Sequence, residues 1–284
     1  MPNAKQRLTM KVLLISDGTF LARHSARRLV DLGHIVLDVR PEDFGGLGST
    51  GAVPDGALEE RAESYGCDRV LCLLGRSTLT AAAPSSPMTT LIARATSVAQ
   101  AHQARFVLAS ALPRAASGRL AMLAFEQEVA RAVRRHGLDG GVCRLEGLYG
   151  GHAEAAERHA LLGPLVSAGV AASPAQIAAP WDALHWPLHV RDAVDGIVAM
   201  LDRGGPDRVR FAGATPYRTR DLVATVEAIL GAPMALTSDS LDERRSTHPP
   251  HIADARRLLR WRPRVGLFAG IEEQAFAEAT HTEG

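Results

Sequence analysis

Short apolar runs alternate with stretches of helical period along the first half of the chain. Lys11–Ile15, Ile35–Val39, Arg69–Leu74, Arg105–Leu108 and Gly140–Leu145 read as strands. Helices are predicted over Thr19–Leu32, Leu58–Tyr65, Met88–His102 and Arg119–Arg135. Continuous apolar strands divided by helices imply an α/β fold with a parallel sheet covered on both faces. Right-handed crossovers make a doubly wound sheet the economical topology. The Gly- and Pro-rich stretch between Phe44 and Leu58 shows no readable strand and is expected to be loop.

After Gly150 the pattern changes. Residues 159–181 contain no Asp, Glu, Lys or Arg. Pro164, Pro174 and Pro180, with two glycines, would break the helix that a bilayer demands, so no membrane span is expected. Two readings stay open: an irregular lobe packed on the core, or an apolar pocket wall. Further on, Val190–Leu201, Thr219–Leu230 and Phe268–Ala279 read as helices and Arg208–Phe211 as a strand. The division expected is 1–150 and 151–284, with the segment around 186–202 returning to the first half.

Composition narrows the function classes. The 284 residues are 46% hydrophobic and 22% charged, a globular balance. A net charge of +1 makes no electrostatic case for nucleic acid, and the basic stretches "ARAVRRHG" and "ARRLLRWRPR" read as solvated helix faces. Cys67, Cys72 and Cys143 lack metal-ligand spacing and read as buried thiols of a reducing compartment. With no signal-peptide pattern at the start, a cytoplasmic protein is expected. Nearly every cation is arginine: Lys5 and Lys11 are the only lysines, and Tyr65, Tyr149 and Tyr217 the only tyrosines.

Chemistry is concentrated at the first strand–helix turn, Ser16-Asp17-Gly18-Thr19-Phe20-Leu21-Ala22. "KVLLISDGTF", "RFVLASA" (105–111), "CRLEGLYGG" (143–151), "HVRDAVDGIVAML" (189–201) and "ADARRLLRWRPRVGLFAGIEE" (253–273) occur in order. Together they resemble the opening loop, fifth strand, Arg-Pro-x-x-x-Tyr-Gly-Pro turn, Val-x-Asp-Val helix and C-terminal segment of extended short-chain dehydrogenase/reductases. The resemblance spans almost the whole chain. It implies a Rossmann-like dinucleotide-binding domain over 1–150 and a small C-terminal substrate-binding lobe. It further implies that Gly18, Thr19, Phe20, Leu21, Arg23, Arg40, Leu74, Gly75 and Ser110 hold the dinucleotide. Arg40, at the end of the second strand, suits a 2′-phosphate and favours NADP(H), with NAD(H) as the alternative.

The departures are as informative. The loop is one residue shorter than the family's, Ala22 replaces its last glycine, and Asp17 brings a carboxylate near the pyrophosphate. No tyrosine lies between 66 and 148, and no lysine follows Lys11. The family's Tyr-x-x-x-Lys pair therefore has no counterpart: aligning on Glu126 puts Gly118 and Met122 there, and aligning on Glu128 puts Leu120 and Ala124. The family's serine falls on Ala111 or on Ser110, leaving Ser110 as the candidate catalytic residue. Without a tyrosine to protonate an alkoxide, the substrate expected is an aromatic ketone activated by its own hydroxyl. The chain also resembles an atypical member of the family that lacks the pair, and this resemblance implies a polycyclic aromatic polyketide of angucyclinone type, reduced in antibiotic biosynthesis. Tyr149, Trp181, His185 and Trp186 are the candidate substrate contacts. A non-catalytic dinucleotide sensor, or an epimerase or lyase with another base, is the competing reading. The assembly expected is a monomer or a homodimer.

Overall fold

The computed structural model describes residues 8–16, 18–40, 56–73, 87–111, 116–151, 161–177, 179–238 and 250–282. The apolar runs of the first half form β1 (Lys11–Ser16), β2 (Ile35–Val39), β3 (Arg69–Leu73), β4 (Arg105–Ala111) and β5 (Gly140–Leu145). Between them lie α1 (Phe20–Asp31), α2 (Ala57–Tyr65), α3 (Pro87–Ala101) and α4 (Ala116–His136). The second half begins with β6 (Leu148–Tyr149), α5 (Leu162–Val170), β7 (Ala175–Ile177), β8 (Leu184–His185), β9 (Leu188–His189) and α6 (Val190–Arg203). It continues through β10 (Arg208–Phe211), β11 (Tyr217–Arg218), α7 (Thr219–Leu230), β12 (Leu236–Ser238), α8 (Ala253–Leu259) and α9 (Leu267–Thr282). The stretch between Phe44 and Leu58 lies mostly outside the described residues.

Six strands form one parallel sheet, in the order β10-β5-β4-β3-β1-β2. The chain runs outward from β1 to β2, then returns to the other side of β1 for β3. This reversal makes the crevice beyond the ends of β1 and β3 the topological switch point, where ligands of such sheets bind. The period-two pattern sorts the side chains into two cores. Val12, Leu14, Leu71, Leu73 and Val107 pack toward α1 and α6. Leu13, Ile15, Val70, Cys72, Phe106 and Leu108 pack toward α2, α3 and α4. Each of these strand residues is at most 1% exposed, and burying each aliphatic or aromatic one contributes about 1.5–3 kcal/mol.

The sixth strand comes from beyond residue 202, so the return to the core extends further than the 186–202 segment expected. Asp192, at the start of α6, explains how the C-terminal segment is fixed. Its carboxylate accepts the Arg264 and Val265 amides at 3.0 and 2.9 Å, and its carbonyl accepts the Trp261 indole N–H at 2.9 Å.

Among the described residues the uncharged stretch is not irregular throughout. Its centre is α5, whose Leu162, Leu165 and Val166 are buried with Leu222, Val226 and Ile271 of α7 and α9 in a third core. Pro164 sits in the first turn of α5, where a missing N–H costs nothing because no carbonyl waits for it. Among the described residues no helix is long and apolar enough to cross a membrane. Cys67, Cys72 and Cys143 are free and buried.

Candidate functional site

The loop after β1 lies at the switch point. Gly18 has φ +74°, a left-handed conformation that a side chain would strain. A Cβ there would stand 3.7 Å from the Arg40 guanidinium carbon, so Arg40 lies across the glycine. Arg23 donates to the Gly18 carbonyl at 2.6 Å, and the Gly18 amide donates to Ser16 Oγ at 3.3 Å. Thr19 is the N-cap of α1 but makes no side-chain cap bond, and the first turn holds no acid. The start of α1 is the positive end of the helix dipole, which favours an anion. These features fit a dinucleotide pyrophosphate with Arg23 and Arg40 beside it. Asp17, Leu74 and Gly75 lie outside the described residues.

The strand end carries a residue that the sequence reading passed over. β2 stops at Val39, and Asp38 presents its carboxylate to the Ser16 hydroxyl at 2.9 Å and to Arg40 Nε at 3.4 Å. An acid thus stands near the end of β2, two residues before Arg40. Arg40 accompanies it and does not replace it. The signal was the aspartate inside "HIVLDVR", legible only once the strand end was known.

The residues that either alignment sets against the Tyr-x-x-x-Lys pair, Gly118 and Met122 or Leu120 and Ala124, offer no proton donor. Met122, where alignment on Glu126 puts the family's lysine, is fully buried in the second core. Ser110 is also fully buried and donates its hydroxyl to Glu126 Oε1 at 2.9 Å. Glu126 accepts from Arg144 Nε at 2.8 and 2.9 Å as well, and Arg144 Nη2 closes a second contact. Arg208 stands 3.5 Å from the same carboxylate. This network engages the only proton of Ser110 inside the protein. Glu126 and Arg144 were legible as a helix residue and a turn residue, but their pairing across the sheet was not.

The lobe residues separate. Tyr149 is buried against His189, ring centroids 5.2 Å apart and edge to face, and burial raises the pKa of its phenol far above the ordinary value. His189 Nδ1 accepts the Arg191 amide, so Nε2 carries the ring proton, and among the described residues no hydrogen-bond partner meets it. Burial first, then Arg191 and His24, lowers the His189 pKa to about 4. His185 is hydrogen-bonded: its Nε2 meets Thr219 Oγ1 at 2.9 Å. Thr219 gives its own proton to the Pro180 carbonyl at 2.7 Å, so His185 must be the donor. Trp186 is half-buried and its carbonyl accepts the Gly213 amide. Trp181 is 49% exposed at the turn before β8.

No family model and no curated protein matches the chain. Solved structures do. The UDP-glucose 4-epimerase of Thermotoga maritima, solved with UDP-glucose, superposes with a TM-score of 0.78 at 14% identity, over 96% of this chain and 99% of the epimerase. WbmF of Bordetella bronchiseptica, solved with NADH, also gives 0.78, at 15% identity over 99% and 95%. The UDP-glucose 4-epimerase of Thermus thermophilus, solved with NAD, gives 0.73 at 14% identity over 95% and 99%. At such identities the likeness shows the fold, a Rossmann-like α/β sheet with its lobe.

Proposed function

We propose that the protein is an NADPH-dependent ketoreductase that lacks a protein acid and reduces a carbonyl of a polycyclic aromatic polyketide. The observation that carries the reading is a loop suited to a dinucleotide in a chain whose residues aligned with the Tyr-x-x-x-Lys pair hold no proton donor. Gly18, the dipole at the start of α1 and the guanidiniums of Arg23 and Arg40 suit a phosphorylated dinucleotide. A bound nicotinamide supplies the hydride. The chain's part is to hold the two reactants in line, and orientation of that kind accounts for up to roughly 7–11 kcal/mol of a barrier.

Proton delivery then falls to the substrate. A phenol beside the reduced carbonyl donates an internal hydrogen bond that strengthens as charge develops on oxygen, which lowers the barrier selectively. The absence of the pair also resembles the ketoreductase of simocyclinone biosynthesis, whose substrate is an angucyclinone. Half-exposed Trp181 and half-buried Trp186 offer flat surface for such rings.

Two measurements test the reading together. NADPH oxidation is followed with hydroxylated polycyclic ketones, and single-turnover rates are compared for a free phenol and its methyl ether. The ether should react more slowly by about 10²-fold or more, since the positioned acid is gone. Equal rates would remove substrate assistance, and no turnover of any such ketone would remove the reductase reading.

A further inference from the structure

A separate cleft of about 700 Å³ opens where α1, the first turn of α6 and the start of α9 meet. None of its lining residues belongs to the loop after β1. Its charges are unevenly engaged. Asp195 is held by Arg28 at 3.0 Å, Glu273 by Arg191 at 2.6 Å, and Asp192 by two backbone amides. Among the described residues the guanidiniums of Arg27 and Arg264, which also line the cleft, have no ion-pair or hydrogen-bond partner. Asp31 is the carboxylate left to oppose them.

Two further observations point the same way. Gly266 and Ala269 bring the start of α9 into the lining, and the first bond of that helix runs from the Gly270 amide to the Gly266 carbonyl. The amides of 267–269 therefore precede the helical ladder, and no acid occupies that turn. His24 lines the α1 side, and burial, then Arg23, Arg27 and Arg191, push its pKa below the ordinary value. Behind Glu273, buried His189 keeps its unpartnered Nε2, with Glu273 Oε1 4.0 Å away. Val194, Val265 and Ala269 supply an apolar side.

We propose that this cleft is a second ligand site, distinct from the dinucleotide loop, that takes a phosphate monoester with a small apolar body. The phosphate rests between Arg27, Arg264 and the amides at the start of α9, and the body lies on Val194 and Val265. A tetrahedral dianion can meet two guanidinium forks and a row of amides at once, which a single carboxylate cannot.

Phenyl phosphate and inorganic phosphate are the probes, in the full-length protein without dinucleotide. Binding is followed by calorimetry and by NMR titration of the His24 ring, which faces Arg23 and Arg27 on its own helix, Arg191 on α6 and Glu273 on α9. Phenyl phosphate should bind more tightly than phosphate and should raise the His24 pKa. The double change Arg27→Gln and Arg264→Gln removes two exposed side chains and should weaken binding by about tenfold or more. Ala269→Asp, which suits a helix start but repels an anion, should do the same. Arg40→Asp should leave this binding and the His24 shift unchanged. Unaltered affinity in both the double variant and Ala269→Asp, or loss of binding in Arg40→Asp, would overturn the site. Neither result bears on turnover at the dinucleotide loop.

Discussion

Ser110 and Glu126 are joined by a buried hydrogen bond of 2.9 Å, and this bond removes the serine from the list of proton donors. Ser110→Ala should leave turnover within a few-fold of the parent and cost about 1.5–3 kcal/mol of stability, the usual loss of a bond to a buried charge. Tyr149→Phe and Tyr217→Phe should also keep most turnover in protein that folds. A fall of about 10²-fold in kcat with KM unchanged, in any of the three, would mark that residue as the acid.

Glu126 is fully buried and clasped by Arg144, so removing one partner strands a charge in the core. Glu126→Ala should lose about 3–5 kcal/mol, seen as a thermal midpoint lowered by about 10 °C. The paired change Glu126→Leu with Arg144→Met should recover much of that loss. Calorimetric melts of the three proteins decide it: a single variant as stable as the parent would show that the pair carries no weight.

Stability should also depend on the protonation of His189. Its folded pKa is about 4, below the ordinary 6.5, so the unfolded chain binds the proton more tightly. The contribution is whole above about pH 6.5 and is lost as pH falls toward 4, amounting to about 3 kcal/mol. His24 is shifted the same way and adds to the slope. His189→Asn keeps an acceptor for the Arg191 amide but cannot titrate, so denaturant unfolding between pH 4 and 7 should show a flatter profile. An unchanged profile would assign the acid sensitivity elsewhere.

On the proposed reading, Arg40 and Asp38 act in opposite directions on cofactor choice. Arg40→Asp should weaken NADPH far more than NADH, by about 1.5–3 kcal/mol. Asp38→Asn should instead weaken NADH relative to NADPH, because it removes the acceptor for a ribose hydroxyl. Calorimetry showing equal losses for both cofactors in either variant would take that residue out of the ribose-phosphate site.

Most of the sheet was legible because its signal is local. The apolar runs of β1 and β5 and the helical period of α1 and α6 each set their own geometry, and the observed ends differ from the reading by few residues. Less of the site was legible, because its determinants pair across the sheet. Glu126 meets Arg144 and Ser110 only through the alignment of β4 with β5, and Asp38 meets Ser16 only through that of β1 with β2. α5 was missed for a different reason. With no charged face it shows no amphipathic contrast, since it is buried between α7 and α9.

Gln274 of α9 is 2% exposed and ties two distant segments: its amide oxygen accepts the Gly150 amide, and its amide nitrogen donates to the Gly163 carbonyl, each at 3.1 Å. Ser167 of α5 reaches Glu278 of the same helix. The turn after β6 and the start of α5 thus take their final positions from residues translated more than a hundred positions later. On the ribosome, β1 to β5 can pair while synthesis proceeds, N-terminal elements first. The lobe can cover α5 with α7 first, but the face that α9 buries stays open until that last helix emerges.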